Sequence, residues 1–369
     1  MNRVRIAVIG AGHLGRIHAR IAAGLEELEL VAVADPLEQA RRSVAEEFRT
    51  RAVADYNELI GKIDAAIVAT PTTSHHAIGM ELLTAGVPLL VEKPLAPTVA
   101  EADDLVALAR RQNLVLQVGH VERFNPALAI VAADVRDPKF IEATRTSGYT
   151  FRSTDIGVVL DVMIHDIDIA LALAKSTVVD VQALGISVLG RHEDIANARL
   201  TFASGCVAQL SASRVSFQQQ RTMTVFTPRA SSSINFATFE STVVRPREEV
   251  LRREFHLDRL SADERAYWKE HLFDGLLVRT QQTAQPVNAI QEEQRDFARA
   301  IREGKSPRVD GAAGRNAVAV AEMILEQIED HAWDGSTIGR RGAFAMPALP
   351  IVAGTTQPAA ERQERRRAG

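Results

Sequence analysis

Five short runs of apolar residues recur through the first third of the chain, and segments with helical periodicity separate them. The runs contain few polar positions, as is typical of strands that helices cover on both faces. Strand and helix in strict succession predict a doubly wound parallel sheet, the N-terminal part of an α/β protein. The predicted strands are Val4–Ile9, Leu28–Ala34, Ala65–Ala69, Pro88–Val91 and Leu114–Val118, and the predicted helices are His13–Leu25, Leu37–Phe48, Ser74–Ala85 and Val99–Gln112.

The pattern changes after Gly119, where one long helical stretch, about 156–175, is followed by consecutive β-like segments over about 178–245. Strands without intervening helices predict a C-terminal α+β domain with a largely antiparallel sheet. The segment 247–285 is charged and gives no clear assignment. Two helices, about Ala289–Arg302 and Arg315–Asp330, end the pattern. We therefore predict a dinucleotide-binding Rossmann domain over 1–121, a substrate and oligomerisation domain over 122–345, and a disordered tail over 346–369.

Composition narrows the class of protein without naming an activity. The 369 residues are 46% hydrophobic and 24% charged, which indicates about two globular domains and excludes disordered, collagen-like and small disulfide-rich classes. A net charge of -4 gives no overall reason to expect nucleic acid or an anionic membrane as partner. Cys206 is the single cysteine, so the chain cannot form an internal disulfide bond. The N-terminal apolar run Ile6–Ile9 is too short for a signal peptide. Both observations predict a cytoplasmic protein. The exposed face of an antiparallel sheet predicts a homo-oligomer, a dimer or tetramer.

A glycine-rich fingerprint follows the first predicted strand and opens the first helix. Gly10, Gly12 and Gly15 have the G-x-G-x-x-G spacing, which allows a tight turn, close approach of a pyrophosphate and close packing of helix on strand. Asp35 ends the second strand at the spacing where a carboxylate binds ribose hydroxyls. Because Pro36 follows it, we expect NAD rather than NADP, although Arg41 and Arg42 lie within reach of a 2′-phosphate.

Two further segments leave the carboxyl edge of the predicted sheet. The segment 69–75 follows one strand, and Glu92-Lys93-Pro94 follows the next along the chain. Ligands bind at this edge of open α/β sheets, so Lys93 is expected to point toward the nicotinamide. A cis bond before Pro94 would fix its direction.

One polar line runs along the otherwise apolar helix of the second domain. At 100° per residue, Asp161, His165 and Asp168 lie within roughly 40° of one another. The spacing is compatible with a solvated Asp/His pair. It is also compatible with a general base, if a carboxylate beside His165 orients the imidazole and raises its proton affinity. A metal site on the same residues is a third interpretation, but no further cluster has ligand-like spacing, and we expect no metal.

Taken together, these motifs resemble the Gfo/Idh/MocA oxidoreductases over about residues 3–335. The resemblance implies a Rossmann domain joined to an α/β substrate domain, and reversible oxidation of a sugar or cyclitol hydroxyl by NAD or NADP. It places Lys93 and His165 at the reacting carbon, with Asp161 as a substrate or orienting ligand. The cofactor is expected to lie against Gly10, Gly12, His13, Leu14, Gly15, Asp35, Thr70, Pro71, His75, Glu92 and Lys93.

Within the family, segments 119–126 and 159–168 are similar to the branch that contains UDP-N-acetylglucosamine 3-dehydrogenases. For such a substrate, Arg123 and Arg152 are candidates to bind the diphosphate or, equally, to form structural ion pairs. Asn125 is a candidate to bind a sugar hydroxyl or to cap the helix at Pro126. The length of the 247–285 segment and the basic tail depart from the family pattern. A dehydrogenase of inositol or a free sugar, and a regulator that binds NAD without turnover, remain as alternatives.

Overall fold

The apolar runs of the first third form a six-stranded parallel sheet in a computed structural model, which describes residues 3–151, 154–333 and 339–345. The strand order is β3-β2-β1-β4-β5-β6, so the order reverses between β1 and β4 and leaves a crevice at their carboxyl ends. The bounds are β1 Val4–Ile9, β2 Leu28–Ala34, β3 Arg51–Val53, β4 Ala65–Val68, β5 Leu89–Glu92 and β6 Leu116–Gly119. The predicted doubly wound sheet is confirmed, and the short β3 is the one strand of it that the pattern did not indicate.

Helices cover both faces of this sheet. Apolar residues of the first helix, together with Gly15 and His18, are buried against the strands. The last helix of the set is capped by Thr98, whose hydroxyl accepts a hydrogen bond from the backbone N–H of Glu101. The bounds are α1 His13–Gly24, α2 Glu38–Phe48, α3 His75–Thr84 and α4 Val99–Arg111.

The second sheet has eight strands in the order β14-β13-β12-β11-β7-β10-β9-β8. All neighbouring pairs are antiparallel except β7 and β10, which confirms a largely antiparallel sheet. Burial alternates along β9 and β10, because one face packs on helices and the other does not. The bounds are β7 Phe140–Thr146, β8 Val178–Ile186, β9 Ile195–Phe202, β10 Val207–Ser213, β11 Gln220–Phe226, β12 Ser231–Asn235, β13 Glu240–Pro246 and β14 Leu277–Thr283.

Six more α-helices follow in the described chain: α5 Pro126–Ile130, α6 Ile164–Ala174, α7 Glu248–Leu251, α8 Ala262–Glu270, α9 Ala289–Glu303 and α10 Gly311–Asp330. Although α9 and α10 come late in the sequence, α9 packs on α1, and α10 packs on β6, α4, α6 and β8. At Gly314 of α10, a Cβ atom would lie 2.5 Å from the Val118 side chain, so a glycine allows this close packing. The apolar core is therefore shared between the two sheets, and the division at residue 121 stays a prediction.

The unassigned segment 247–285 contains α7, α8 and β14, and neither α7 nor α8 buries a residue. The predicted tail, residues 346–369, lies outside the described residues.

Candidate active site

The glycine loop between β1 and α1 is packed tightly on one side and open on the other. Gly10 has φ +98°, and a Cβ atom there would lie 2.5 Å from the carbonyl oxygen of Ala69. A Cβ atom on Gly15 would lie 1.9 Å from the carbonyl oxygen of Gly10, whereas one on Gly12 would meet no protein atom within 4 Å. The loop thus leaves free backbone surface at the N-terminus of α1, which fits the approach of a pyrophosphate.

Asp35 ties the end of β2 to this loop. Its Oδ2 accepts a hydrogen bond from the backbone N–H of Ala11 at 2.8 Å, and its Oδ1 accepts one from Leu37 at 2.8 Å. Arg41 donates to the carbonyl oxygens of Asp35 and Pro36. Arg42 forms an ion pair with Glu38. Both arginines that would bind a 2′-phosphate are therefore engaged elsewhere.

A cleft of about 970 Å³ runs from Gly12 and Asp35, past Thr70 and Pro71, to Lys93, Thr150 and Asp161. We call it the cofactor cleft. His13 and Leu14 also line it. Its volume, the open loop at one end and a lysine at the other fit an extended dinucleotide whose nicotinamide would lie beside Lys93.

His75 and Glu92, two predicted cofactor contacts, lie behind the wall of this cleft. The buried His75 ring has Nδ1 2.9 Å from the carbonyl oxygen of Pro94 and Nε2 3.0 Å from that of Thr70. It therefore joins the loops that follow β4 and β5. The Glu92 carboxylate accepts a hydrogen bond from the backbone N–H of Lys93 at 3.1 Å. In the structure, both side chains hold backbone that lines the cleft.

Lys93 joins the two domains at the end of the cleft. The Lys93–Pro94 peptide bond is cis. Lys93 Nζ donates to the Asp161 backbone oxygen at 2.5 Å and to Asp161 Oδ1 at 3.0 Å. Both side chains are mostly buried, with 14% and 21% of their surface exposed. An ammonium has three donors, so this arrangement leaves one N–H for another acceptor.

The expectation that a carboxylate raises the proton affinity of His165 is wrong. Residues Val159–Met163 form a π-helical turn before α6, so the 100° spacing assumed for a continuous α-helix does not apply to Asp161. Asp161 binds Lys93 instead. Burial, and then the charges of Lys93 and Arg145, hold the pKa of His165 well below its ordinary 6.5. The imidazole is therefore neutral, with a lone pair that can accept a proton although its proton affinity is lowered, and its buried Nδ1 has no hydrogen-bond partner among the described residues.

The other predicted substrate residues make protein contacts. Arg123 donates to Asp168 at 3.2 Å, so it forms an ion pair, one of the two roles expected for it. The buried Asn125 caps α5, because its Oδ1 accepts a hydrogen bond from Ala127 N–H. Its Nδ2 donates to Glu122 and to the carbonyl oxygen of Phe236. Arg152 lies outside the described residues.

His120, which was not predicted as a site residue, follows β6 at the same edge of the sheet as Lys93. The ring is 1% exposed, and both of its nitrogens lack a hydrogen-bond partner in the part of the chain that the structure describes. It lies edge-on to the His165 ring with centroids 6.3 Å apart. Burial lowers its pKa, so it too is a neutral imidazole. Its place directly after a strand was the available signal.

Glu193 was also missed, and it positions the π-helical turn. Its carboxylate accepts a hydrogen bond from Val159 N–H at 3.0 Å, and its backbone oxygen accepts one from Val158 N–H at 2.8 Å. A Cβ atom on Gly157 would lie 2.0 Å from the same carboxylate, so a larger residue at this position would displace the Glu193 side chain. The contact spans 34 residues of sequence, and no local pattern indicates it.

A buried polar network lies behind Lys93, between α1, β5 and α9. The Gln294 amide donates to His18 Nδ1 at 3.0 Å, so His18 carries its proton on Nε2 and donates it to Glu92 Oε1 at 2.7 Å. Burial favours the neutral form of Glu92, but His18 and Lys93 bring its pKa below the ordinary value. Glu293 is fully buried, and burial together with the Glu92 charge raises its pKa well above 4.5. Glu92 is therefore ionised and Glu293 neutral.

Two family models match the chain. The model described as an oxidoreductase family with an NAD-binding Rossmann fold matches residues 4–120, and the GFO/IDH/MocA C-terminal domain matches residues 128–232. The chain belongs to the Gfo/Idh/MocA oxidoreductase family. The resemblance drawn from its motifs is confirmed, and with it an NAD(P)-binding Rossmann domain and an oxidoreductase.

Among members of the Gfo/Idh/MocA family, the UDP-N-acetylglucosamine 3-dehydrogenase of Acidithiobacillus ferrooxidans is 38% identical over 237 residues, which are 64% of this chain and 75% of that protein. Its solved structure superposes with a TM-score of 0.78 at 31% identity, and covers 89% of this chain and 98% of the other. The scyllo-inositol 2-dehydrogenase (NAD+) of Bacillus subtilis is 30% identical over 234 residues, 58% of this chain and 68% of that protein.

No helix among the residues described is both long and apolar enough to cross a membrane. The same residues hold no group of three or more His, Cys, Asp or Glu side chains placed to bind a metal ion.

Proposed function

We propose that this protein oxidises the C3 hydroxyl of a UDP-N-acetylhexosamine to a ketone, with NAD as the oxidant. The observation that carries the proposal is the meeting of Lys93 and Asp161 at the end of the cofactor cleft, beside a neutral His165. A hydride acceptor, a hydrogen-bond donor and a proton acceptor are the groups that alcohol oxidation requires.

The roles of the side chains follow from their chemistry. When bound, NAD supplies the nicotinamide that accepts a hydride from carbon. His165 accepts the hydroxyl proton, because a neutral imidazole has a free lone pair. The remaining N–H of Lys93 donates to the same oxygen and stabilises the negative charge that develops on it. Asp161 holds the ammonium in place, and burial limits the access of water.

The choice of NAD is supported by Asp35 and the two arginines of α2. A carboxylate at the end of β2 repels a 2′-phosphate, and Arg41 and Arg42 are engaged with backbone oxygens and Glu38. The nucleotide-sugar substrate is supported by the match to a UDP-N-acetylglucosamine 3-dehydrogenase, at higher identity and coverage than the match to the scyllo-inositol dehydrogenase. Because the family also contains that enzyme, inositol is the second candidate substrate.

We also propose that the uncovered face of the second sheet forms a homo-oligomer interface. Cross-strand neighbours Asn197, Ser211 and Thr144 lie on this face, opposite the side packed on helices, and the Asn197 amide donates to the Ser211 hydroxyl. Small polar side chains give a flat surface that a second copy can cover. Sedimentation equilibrium tests this, and a monomer at micromolar concentration would contradict it. A cytoplasmic location stays a prediction.

The experiment for the reaction uses the purified chain with NAD and UDP-N-acetylglucosamine, and a coupled aminotransferase that consumes the keto sugar. We expect reduced cofactor and an amino-sugar product. Lys93→Met is expected to lower kcat by about 10² to 10³, since it removes the donor to the developing oxyanion. His165→Asn is expected to lower it by about 10² to 10⁴, since it removes the base.

The exposed Lys62 and His256 supply matched controls, and Lys62→Met and His256→Asn are expected to retain full activity. Turnover of inositol but not of the nucleotide sugar would refute the substrate assignment. NADH binding without turnover of either compound would favour the regulator alternative. Near-normal kcat in both active-site variants would refute the catalytic roles.

A further inference from the structure

Arg221 lies on the substrate side of the proposed active site. It is the second residue of β11 and pairs with Arg145 of β7, so both side chains project from the same face of the sheet, the face packed on α6. Arg145 donates to both Asp166 oxygens, at 3.0 and 2.8 Å, and to Glu122 at 2.7 Å. Asp166 directly follows His165. Arg221 is therefore one strand away from the ion pairs beside the proposed base.

Arg221 is an exposed residue, and no described residue forms a hydrogen bond or ion pair with its guanidinium. The neighbouring arginines differ. Arg145 is buried between two carboxylates, Arg123 is paired with Asp168, and Arg214 donates to Asp194 at 2.8 Å. Of these four side chains, Arg221 alone has no carboxylate partner in the described chain.

The charge of Arg221 also influences the pKa values of His165 and Asp166. Burial is the main cause of the low pKa of His165, followed by Lys93 and Arg145, and Arg221 acts in the same direction. The same charge acts on Asp166. Burial raises the pKa of Asp166, whereas the charges of Arg145 and Arg221 lower it. Arg221 is thus close enough to influence the reacting end of the substrate, and within the described residues its own donors have no partner and can bind a ligand.

We propose that Arg221 binds the diphosphate of the nucleotide-sugar substrate, an inference that rests on the proposed function. The diphosphate is attached to C1 of the sugar, two bonds from C3, so its cation must lie on the substrate side close to His165. A guanidinium binds phosphate oxygens through two parallel hydrogen bonds, and an unpaired one needs no existing ion pair to break.

The test compares Arg221→Gln and Arg221→Lys with the wild type. The readouts are KM and kcat for UDP-N-acetylglucosamine, and the Kd values of UDP and NADH by calorimetry. We expect the glutamine variant to raise KM and the Kd of UDP about ten- to a hundredfold, the range of a charge-assisted hydrogen bond. We expect kcat to change by less than about threefold, because phosphate binding is shared by ground and transition states. The lysine variant should recover part of the affinity, and the Kd of NADH should not change.

Arg229→Gln is the matched control, since Arg229 is an exposed arginine in the turn between β11 and β12 and pairs only with the exposed Glu248 among described carboxylates. Its KM should equal that of the wild type. If the wild type oxidises the nucleotide sugar and Arg221→Gln keeps its KM and its affinity for UDP, the inference is overturned while the proposed function stands. A fall in kcat alone would also overturn it. If the wild type neither binds UDP nor oxidises the nucleotide sugar, the proposed function fails first and the inference falls with it.

Discussion

An alanine at position 12 is expected to separate cofactor binding from folding. Gly12 has φ -70° and ψ -165°, an extended conformation that any residue adopts, and an added Cβ would meet no protein atom within 4 Å. Alanine reduces the entropy of the unfolded chain, which stabilises the protein by about 0.4 to 1 kcal/mol. It is also a poorer N-cap than glycine, which offsets this gain. The free energy of unfolding of Gly12→Ala should therefore change by less than about 1 kcal/mol.

Gly15→Ala is the matched contrast, three residues away in the same loop. Its Cβ would lie 1.9 Å from the carbonyl oxygen of Gly10, a backbone atom that cannot rotate away. Overpacking of this kind costs about 1 to 3 kcal/mol or more, and a contact with fixed backbone belongs at the upper end. The same substitution is thus expected to leave the free energy of unfolding nearly unchanged at position 12 and to lower it strongly at position 15.

Gly12→Ala should weaken the binding of the cofactor, although it leaves the stability of the protein nearly unchanged. The methyl group of Gly12→Ala would occupy the open surface that a pyrophosphate must approach, and would weaken hydrogen bonds from the N-terminus of α1. Loss of one charge-assisted hydrogen bond raises Kd about ten- to a hundredfold. Urea unfolding and NADH titration by fluorescence measure the two quantities. Normal NADH affinity in Gly12→Ala would show that the pyrophosphate does not cross this residue. A loss of stability equal to that of Gly15→Ala would refute the steric argument.

Two further predictions concern carboxylates. Asp35→Asn removes the charge that repels a 2′-phosphate, so the ratio of kcat/KM for NAD to that for NADP should fall tenfold or more, about 1.4 kcal/mol; an unchanged ratio would contradict the role of Asp35. Glu293 has a pKa above 4.5 in the folded protein, so the stability that its proton supplies is complete below pH 4.5 and is lost as pH rises through the folded pKa, by up to about 1.4 kcal/mol per pH unit. Glu293→Gln should remove this slope in urea unfolding across pH and become the more stable protein as pH rises, whereas parallel curves for the two proteins would show that Glu293 is not neutral.

The strands and the glycine turn of the first domain could be predicted, because patterns among neighbouring residues specify them. Continuous apolar runs identify strands buried on both faces, and the glycine spacing identifies the turn between β1 and α1. The second domain was less predictable. The strands β7 and β14 were missed, since one follows a short irregular segment and the other lies in a stretch of charged and polar residues with no clean alternation. Strand β3 has only three residues, too few for a period.

In the candidate site, too, the residues could be predicted from sequence, whereas their long-range contacts could not. Local motifs identified Lys93, Asp161 and His165, but not which of them would make contact. The partner of Asp161 is 68 residues away in sequence, and the π-helical turn broke the α-helical period on which the Asp161 and His165 pairing relied. The support from Glu193 depends on a strand connection that no sequence pattern specifies.

These long-range contacts hold the proposed catalytic lysine from two sides. In front, Asp161 of the second domain takes two of the three Lys93 donors. Behind, Glu92 holds the Lys93 backbone, and His18 and Gln294 fix the Glu92 carboxylate. Because Gln294 lies on α9, far along the chain from the glycine loop, the position of the lysine depends on both domains having packed together. A lysine fixed by the assembled fold, with one donor left free, is preorganised for a developing oxyanion and does not have to be moved there by substrate.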